Sequence, residues 1–391
     1  MSLPVLSREE ELYWLALKLI PGLGARTSGK LLDRFRTPQT IFRASRSELE
    51  GAGLTGAIAQ SITSGCSFED AAAQQQKMVE AGADLITIGD PRYPRLLREI
   101  FDPPTLLFAR GRVELLQSIM LGIVGTRRPT PYGLAVAERL SADLAHAGLT
   151  IASGMASGID TASHKGALGA GGDTVAVLGC GVDVVYPSEN RKLAADLAVK
   201  GLIVSEFPMG ATAFPQNFPI RNRIISGMSV GVLVVEGAQY SGSAITAKLA
   251  MDQGREVFAV PGNITSKLSW GPNLLIKQGA RLIQDWNDVV LELPPESRRH
   301  LIEVGRKKLL GEAAASPGGG QASLLEESGP ELGPVARHAL ELLQVDAKVH
   351  LDDLLERVQD TSPSELIAAL FELEMLGLVK QLPGKNFVKV W

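Results

Sequence analysis

From about residue 119 the chain alternates short, continuous apolar runs with amphipathic stretches. The runs 119–125, 149–153, 173–179, 201–206, 230–236, 256–261 and 280–283 predict strands. The segments 132–147, 159–169, 189–199, 219–228, 243–253, 272–278 and 286–292 predict helices. The strand runs do not alternate apolar with polar positions. That is the pattern of strands buried on both faces, as in a parallel sheet covered by helices. Strand and helix repeated this often predict a doubly wound, extended Rossmann-like α/β domain.

The flanks differ. In residues 8–70, Leu12, Leu15, Ala16, Leu19 and Ile20 recur at helical spacing, then Ile20-Pro21-Gly22-Leu23-Gly24 interrupts before a second helical stretch with Leu31, Leu32 and Phe35. Leu49-Glu50-Gly51-Ala52-Gly53-Leu54 is a weaker echo. The pair resembles helix-hairpin-helix or SAM-like units. The N–H groups opening a helix after such a hairpin suit a phosphate. A plain glycine-capped turn fits too, and is the simpler account of the second copy. Residues 84–118 read as a connector with prolines at 91, 94, 103 and 104 and one strand at 105–109. Residues 296–333, with Ser316-Pro317-Gly318-Gly319-Gly320 and Gly329-Pro330, read as a flexible linker. Residues 334–391 predict helices at 335–344, 351–357 and 363–376 and a closing hairpin, a winged-helix layout. The expected domains are therefore 1–83 (helical), 84–295 (Rossmann-like), 296–333 (linker) and 334–391 (winged helix).

Composition narrows the options. With 391 residues, 45% of them hydrophobic, the chain builds cores without staples. Its two cysteines, Cys66 and Cys180, form no CxxC pair, so neither a zinc ribbon nor a disulfide scaffold is expected. No basic-then-apolar leader and no run of ~20 apolar residues is present, so a cytoplasmic protein without a membrane segment is expected. The net charge of −4 is unevenly placed. Residues 1–83 balance 9 basic against 9 acidic residues, 84–295 balance 19 against 19, and 296–391 hold 11 against 15. A balanced body still binds polyanions where its cations stand apart from acids.

They do stand apart at the strand exits, where open α/β sheets bind ligands. No acid occurs between Glu206 and Glu236, a stretch holding Phe214, Phe218, Arg221, Asn222 and Arg223. Windows 115–137, with Arg127 and Arg128, and 257–284, with Lys267, Lys277 and Arg281, are also acid-free. Cations track phosphates and rings stack on unpaired bases, so this rim suits single-stranded nucleic acid. The competing reading makes both phenylalanines core residues; prolines at 208, 215 and 219 favour an exposed loop. Gly125-Thr126-Arg127-Arg128 after the first strand is not a GxGxxG fingerprint, and the second strand ends in Ser153 rather than an acid, which disfavours a nicotinamide enzyme. Ser241-Gly242-Ser243 opens a helix as a phosphate nest or as a simple N-cap. Asp160 and His164 share a helical face, but without further ligands the structural roles, a cap and a loop anchor, are expected rather than metal binding or acid–base chemistry.

Four spaced motifs carry a resemblance. They are Gly125-Thr126-Arg127; Ser153-Gly154-x-Ala156-x-Gly158-Ile159-Asp160-x-x-x-His164; Phe218-Pro219-x-Arg221-Asn222-Arg223-Ile224-Ile225-Ser226-Gly227; and Glu236 with Ser241-Gly242-Ser243-x-x-Thr246-Ala247. Together they resemble the DprA (Smf) family of DNA-processing proteins over nearly the whole chain. The resemblance implies a non-enzymatic protein without cofactor or metal. It implies binding of single-stranded DNA, loading of the RecA recombinase, protection of incoming DNA in natural transformation, and a homodimer through the α/β domain. By position it marks Arg127 as the DNA-binding arginine, Phe218 as the base-stacking ring and Arg221, Asn222 and Arg223 as the pocket floor. Arg128, Gly154, Ser241, Gly242 and Ser243 complete the expected DNA-binding set. Many relatives carry a lysine three residues before the phenylalanine; here Pro215 stands there, and Arg128, Lys165 or Lys267 would have to compensate.

Two other readings compete. A nucleotide phosphoribohydrolase-like enzyme on a related fold would carry Pro-Gly-Gly-x-Gly-Thr followed by a glutamate; the chain has Pro261-Gly262-Asn263-Ile264-Thr265 and no glutamate after it. A transcription regulator would read DNA through its wing, but residues 334–391 hold 6 basic against 9 acidic residues, which favours a protein-binding role there.

Overall fold

The apolar runs become the centre of a nine-stranded sheet. The structure, a computed structural model, describes residues 6–298, 301, 333–345, 347–358, 361–375, 378–382 and 384–390. The strands are β1 (Asp84–Thr87), β2 (Leu106–Gly111), β3 (Met120–Val124), β4 (Thr150–Ser153), β5 (Thr174–Leu178), β6 (Leu202–Ser205), β7 (Gly231–Val234), β8 (Glu256–Ala259) and β9 (Arg281–Leu282), in the order β1-β2-β6-β5-β4-β3-β7-β8-β9. From β6 to β9 all neighbours are parallel; β2 runs antiparallel to β6 and to β1. The chain leaves β3 toward β4 on one side and returns to β3's other side as β7, so the order reverses between β3 and β7.

Both sheet faces are covered, which is why the strand runs are continuous. Val175 and Val177 of β5 pack with Ile224, Ile225 and Met228 of the helix Asn217–Met228 and with Ala247 and Ala250 of the helix Gly242–Asp252. Their neighbours Ala176 and Leu178 pack on the opposite face with Leu193 and Leu197 of the helix Arg191–Lys200. Leu15 and Ala16 of the helix Arg8–Lys18, and Ala71 and Met78 of the helix Phe68–Ala81, join this second core beside Leu85, Leu106 and Phe108. Residues 1–297 thus form one compact unit, and the boundary expected at 83 is no gap in packing. The helices between those two, Ala25–Phe35 to Gly56–Ser64, hold a smaller core of Leu31, Ile41, Leu49 and Ile62.

The short edge strand β1 falls within the predicted connector. It has four residues, begins on an exposed aspartate and pairs only with β2. Too few positions are present to set up a recognisable pattern.

The second unit, described by itself, has helices Pro334–Leu342, Leu351–Arg357 and Pro363–Met375 around Leu354, Leu366 and Leu370, with strands β10 (Val349–His350), β11 (Val379–Leu382) and β12 (Asn386–Lys389) in the order β10-β12-β11. This is the predicted winged-helix domain. The expected linker lies outside the described residues apart from 296–298, 301 and 333. Among the described residues no helix is long and apolar enough to cross a membrane.

Asp160 and His164 take separate structural jobs. Asp160 Oδ2 accepts from the backbone N–H groups of Gly154 (3.1 Å) and Ala156 (3.4 Å), holding the loop after β4. His164 Nδ1 meets Thr174 Oγ1 of β5 at 2.7 Å, while its Nε2 has no partner. Full burial pushes the imidazole from its ordinary 6.5 down to about 3, with Arg221 adding to the effect. The unfolded chain binds this proton below pH 6.5 and the folded one does not, so folding stability falls as pH drops from 6.5 toward 3. Urea denaturation of wild type and His164→Gln at pH 7.5, 6 and 5 is expected to show a steeper loss for wild type. Parallel pH profiles would contradict a neutral buried imidazole.

Candidate nucleic-acid interface

The reversal between β3 and β7 opens a crevice at the C-terminal ends of the strands, where doubly wound sheets bind ligands. A cavity of about 260 Å³ occupies it. Gly125, Thr126 and Arg127 enter from the loop after β3, and Ala156 and Asp160 from the loop after β4. Ser241, Gly242, Ser243 and Thr246 enter from the loop and helix after β7. The helix Asn217–Met228 supplies Phe218, Arg221, Asn222 and Ile225, spaced i, i+3, i+4 and i+7 along one helical face.

Arg221 is the least exposed of the charged residues lining the cavity, with 4% of its surface exposed. Its Nη1 donates to the Val177 carbonyl and its Nε to Asn222 Oδ1 at 3.1 Å. Its nearest opposite charge, Asp160, is held by backbone N–H groups. Burial pulls the guanidinium below its ordinary range, Asp160 opposes this and Arg127 adds to it; an arginine stays protonated regardless. The site buries a cation without a paired carboxylate, an arrangement that an incoming anion stabilises.

Gly154 is what makes room for that cation. A Cβ there would land on the Arg221 guanidinium, so any other residue forces the side chain to move. Gly154 therefore shapes the site from behind without lining it.

At the mouth, the Arg127 guanidinium stands 4.8 Å from the centre of the half-buried Phe218 ring, and Arg221 stands 6.0 Å from it on the cavity side. Tyr186 packs on the same ring, centroid to centroid 5.6 Å with planes tilted by 33°. Tyr186 was not foreseen; the apolar Val184-Val185-Tyr186-Pro187 in the exit loop of β5 was its signal. Phe214 is 54% exposed, as the prolines around it suggest.

Ser241 caps the helix Gly242–Asp252: its Oγ accepts from the Ala244 N–H at 3.4 Å and lies 2.7 Å from Ser243 Oγ. Among the described residues the N–H groups of Gly242 and Ser243 have no backbone acceptor, so they and the helix dipole form a positive end facing the cavity. Glu236 joins two walls, accepting from the Thr130 N–H at 2.9 Å and the Thr130 hydroxyl at 2.6 Å.

The remaining expected residues lie elsewhere. Arg223 points away: its Nη2 pairs with Glu206, its Nη1 donates to the Asp102 carbonyl at 2.7 Å, and its Nε lies 3.3 Å from Asp102 Oδ2. Lys18 joins Glu206 from the N-terminal helix at 3.1 Å. Arg128 is exposed beside the mouth and does not line the cavity. Lys165 lines a separate groove with Arg139 and His146.

Comparison with known proteins places the chain in a class. A family model described as DNA recombination-mediator protein A matches residues 84–294, and a DprA winged helix domain model matches residues 325–385. Protein Smf of Synechocystis is 34% identical over 98% of this chain and 99% of its own length. DNA processing protein DprA of Bacillus subtilis is 46% identical over 55% of this chain and 73% of its own. Among solved structures, DNA processing protein A of Streptococcus pneumoniae aligns with a TM-score of 0.67 at 33% identity, covering 74% of this chain and 99% of that one. The family and fold matches thus support a DNA-processing recombination-mediator role. The chain belongs to the DprA (Smf) family.

Gly154→Ala is expected to displace Arg221 and destabilise the first unit by about 1–3 kcal/mol, the usual cost of overpacking a filled interior. Chemical denaturation reads it; an unchanged midpoint would mean that Arg221 is not fixed against this glycine.

Proposed function

We propose that this chain binds single-stranded DNA across the β3/β7 crevice and delivers it to a RecA-type recombinase. One observation carries the DNA reading: the Arg127–Phe218 pair at the mouth of a cavity floored by an unpaired, buried Arg221. Unpaired bases stack on the ring, and the backbone phosphates meet Arg127, Arg221 and the open helix end at Gly242 and Ser243. Duplex DNA keeps its bases stacked inside and has no use for a half-buried ring. Arg128 adds charge outside the mouth, while Arg223 acts indirectly by fixing the helix that carries Phe218 and Arg221.

RecA loading, protection of incoming DNA in transformation, a homodimer through the sheet domain and a cytoplasmic location extend this reading from what the family resemblance implies. The winged-helix unit, with its acidic balance, is assigned to protein contact. No observation in the crevice favours the phosphoribohydrolase alternative: Asp160 and Glu236, its two buried carboxylates, are held by backbone N–H groups and Thr130.

Fluorescence anisotropy with labelled single- and double-stranded DNA across a salt series tests the reading. Wild type is expected to prefer single strands with a steep salt slope. Arg127→Ala is expected to weaken binding and flatten that slope by ~0.7, one phosphate's share on a single strand. A variant equal to wild type would move the DNA site elsewhere.

Pro215 is exposed just before the ring. Pro215→Lys is expected to tighten binding and steepen the slope by the same ~0.7. Unchanged affinity would show that this chain does not lack a phosphate contact there.

A further inference from the structure

A second phenylalanine, like Phe218, has an arginine guanidinium over its ring, but it stands far more exposed. Phe101 is 77% exposed, and the Arg26 guanidinium lies 4.4 Å from its ring centre. The loop that carries it is fixed on both sides. Ile100 is buried in the core, Asp102 is tied to Arg223, and Pro103 and Pro104 stiffen the approach to β2. With the backbone on either side anchored, the Phe101 ring is held at the surface rather than in either core. Arg26 makes no ion pair among the described residues, and no acid stands in the first turn of its helix Ala25–Phe35. Lys30 is exposed one helical turn further on.

Strand polarity puts this pair beside the crevice. Because β2 runs antiparallel to β6, the loop entering β2 lies at the edge where β6 ends and Glu206 begins. That is the C-terminal edge, which also carries the crevice. The helix bearing Phe218 starts over the end of β5, where Asn217 Nδ2 donates to the Gly179 carbonyl at 2.9 Å. Strands β5, β6 and β2 are successive neighbours, and two strand spacings are roughly 10 Å. Arg223 connects the two places physically, since it belongs to the Phe218 helix and holds Asp102 next to Phe101.

We propose that Arg26 and Phe101 form a second stacking platform for single-stranded nucleic acid, contacting nucleotides that leave the crevice. The proposal rests on the crevice being a single-strand site and extends the path across the sheet edge to the N-terminal helices. Arg26 meets the backbone and the open part of the Phe101 ring takes a base. A contact serving only to dock the N-terminal hairpin would bury the ring; here most of it faces solvent.

The test uses the full chain and a labelled 25-nucleotide oligothymidylate, with wild type, Phe101→Ala, Phe101→Tyr, Arg26→Ala and Arg127→Ala. Thermal melting checks folding, which loss of an exposed ring leaves intact. Phe101→Ala is expected to weaken binding about tenfold, the scale of one stacked base, and Phe101→Tyr to restore it. In Phe101→Trp, the same strand without label is expected to quench the added indole emission. Phe101→Ala within twofold of wild type alongside a weakened Arg127→Ala would overturn the second platform and leave the crevice standing. The reverse pattern would overturn the crevice and, with it, the exit path proposed here, while marking Phe101 as a separate contact. Wild-type affinity in both variants would overturn both.

Discussion

The buried Arg221 guanidinium is the constraint around which the first unit is arranged. Desolvating a cation costs several kcal/mol unless hydrogen bonds and nearby negative charge offset it. Here the offset comes from the Val177 carbonyl, Asn222 and the more distant Asp160. Each needs its own support. Val177 sits in a strand buried on both faces, Asp160 is held by two backbone N–H groups, and Gly154 leaves the guanidinium its space. The loop after β4, the strand β5 and the helix Asn217–Met228 are thereby fixed to one side chain. The same cation gives the cavity its sign, so folding and ligand preference draw on a single residue.

Strand polarity supplies the second organising element. The parallel strands send all their exit loops to one edge, and the antiparallel β2 adds its entry loop to that edge. The neutral charge balance of residues 84–295 hides this placement. Several acids of the sheet unit are spent on structural pairs, such as Glu206 and Asp102 with Arg223, Asp173 with Arg112, and Asp90 with Arg92. Among the described residues Arg127 and Arg128 at the crevice mouth make no ion pair, so a neutral body still presents a positive edge.

Much of this was legible in the sequence, for physical reasons. Strands buried on both faces leave continuous apolar runs, from which six of the seven parallel strands are readable; the seventh, β9, falls in the predicted run 280–283 although both its residues are exposed. Two of the three acid-free windows supply cavity residues, Gly125–Arg127 and Phe218–Ile225, whereas none of 257–284 lines the cavity and the Ser241–Thr246 wall lies in no window. The limits are equally physical. Arg221 and Arg223 look alike on paper, yet residues two apart on a helix point to opposite sides. Positions 218, 221, 222 and 225 share a face, and 223 does not. That periodicity was available and would have separated the lining residues from the anchor. Tyr186 reaches Phe218 only through the neighbouring strand exit, a relation that exists in the folded sheet alone. The four-residue β1 was too short to register.

The shared core between the N-terminal helices and the sheet has a consequence in time. Lys18 and its partner Glu206 are 188 positions apart. At roughly 5–20 residues per second of synthesis, the first helix waits on the order of 10–40 s for that partner to leave the ribosome. Until Leu85, Leu106 and Phe108 are made, the Leu15 and Ala16 face has no strand to cover it, and Ile203 completes its core only later. The capping box at Ser7 and Glu10 holds the start of this helix locally, but its apolar side remains open to the nascent chain's surroundings. For this protein the ribosome-bound intermediate, more than the finished fold, is the stage at which chaperone capture and aggregation compete.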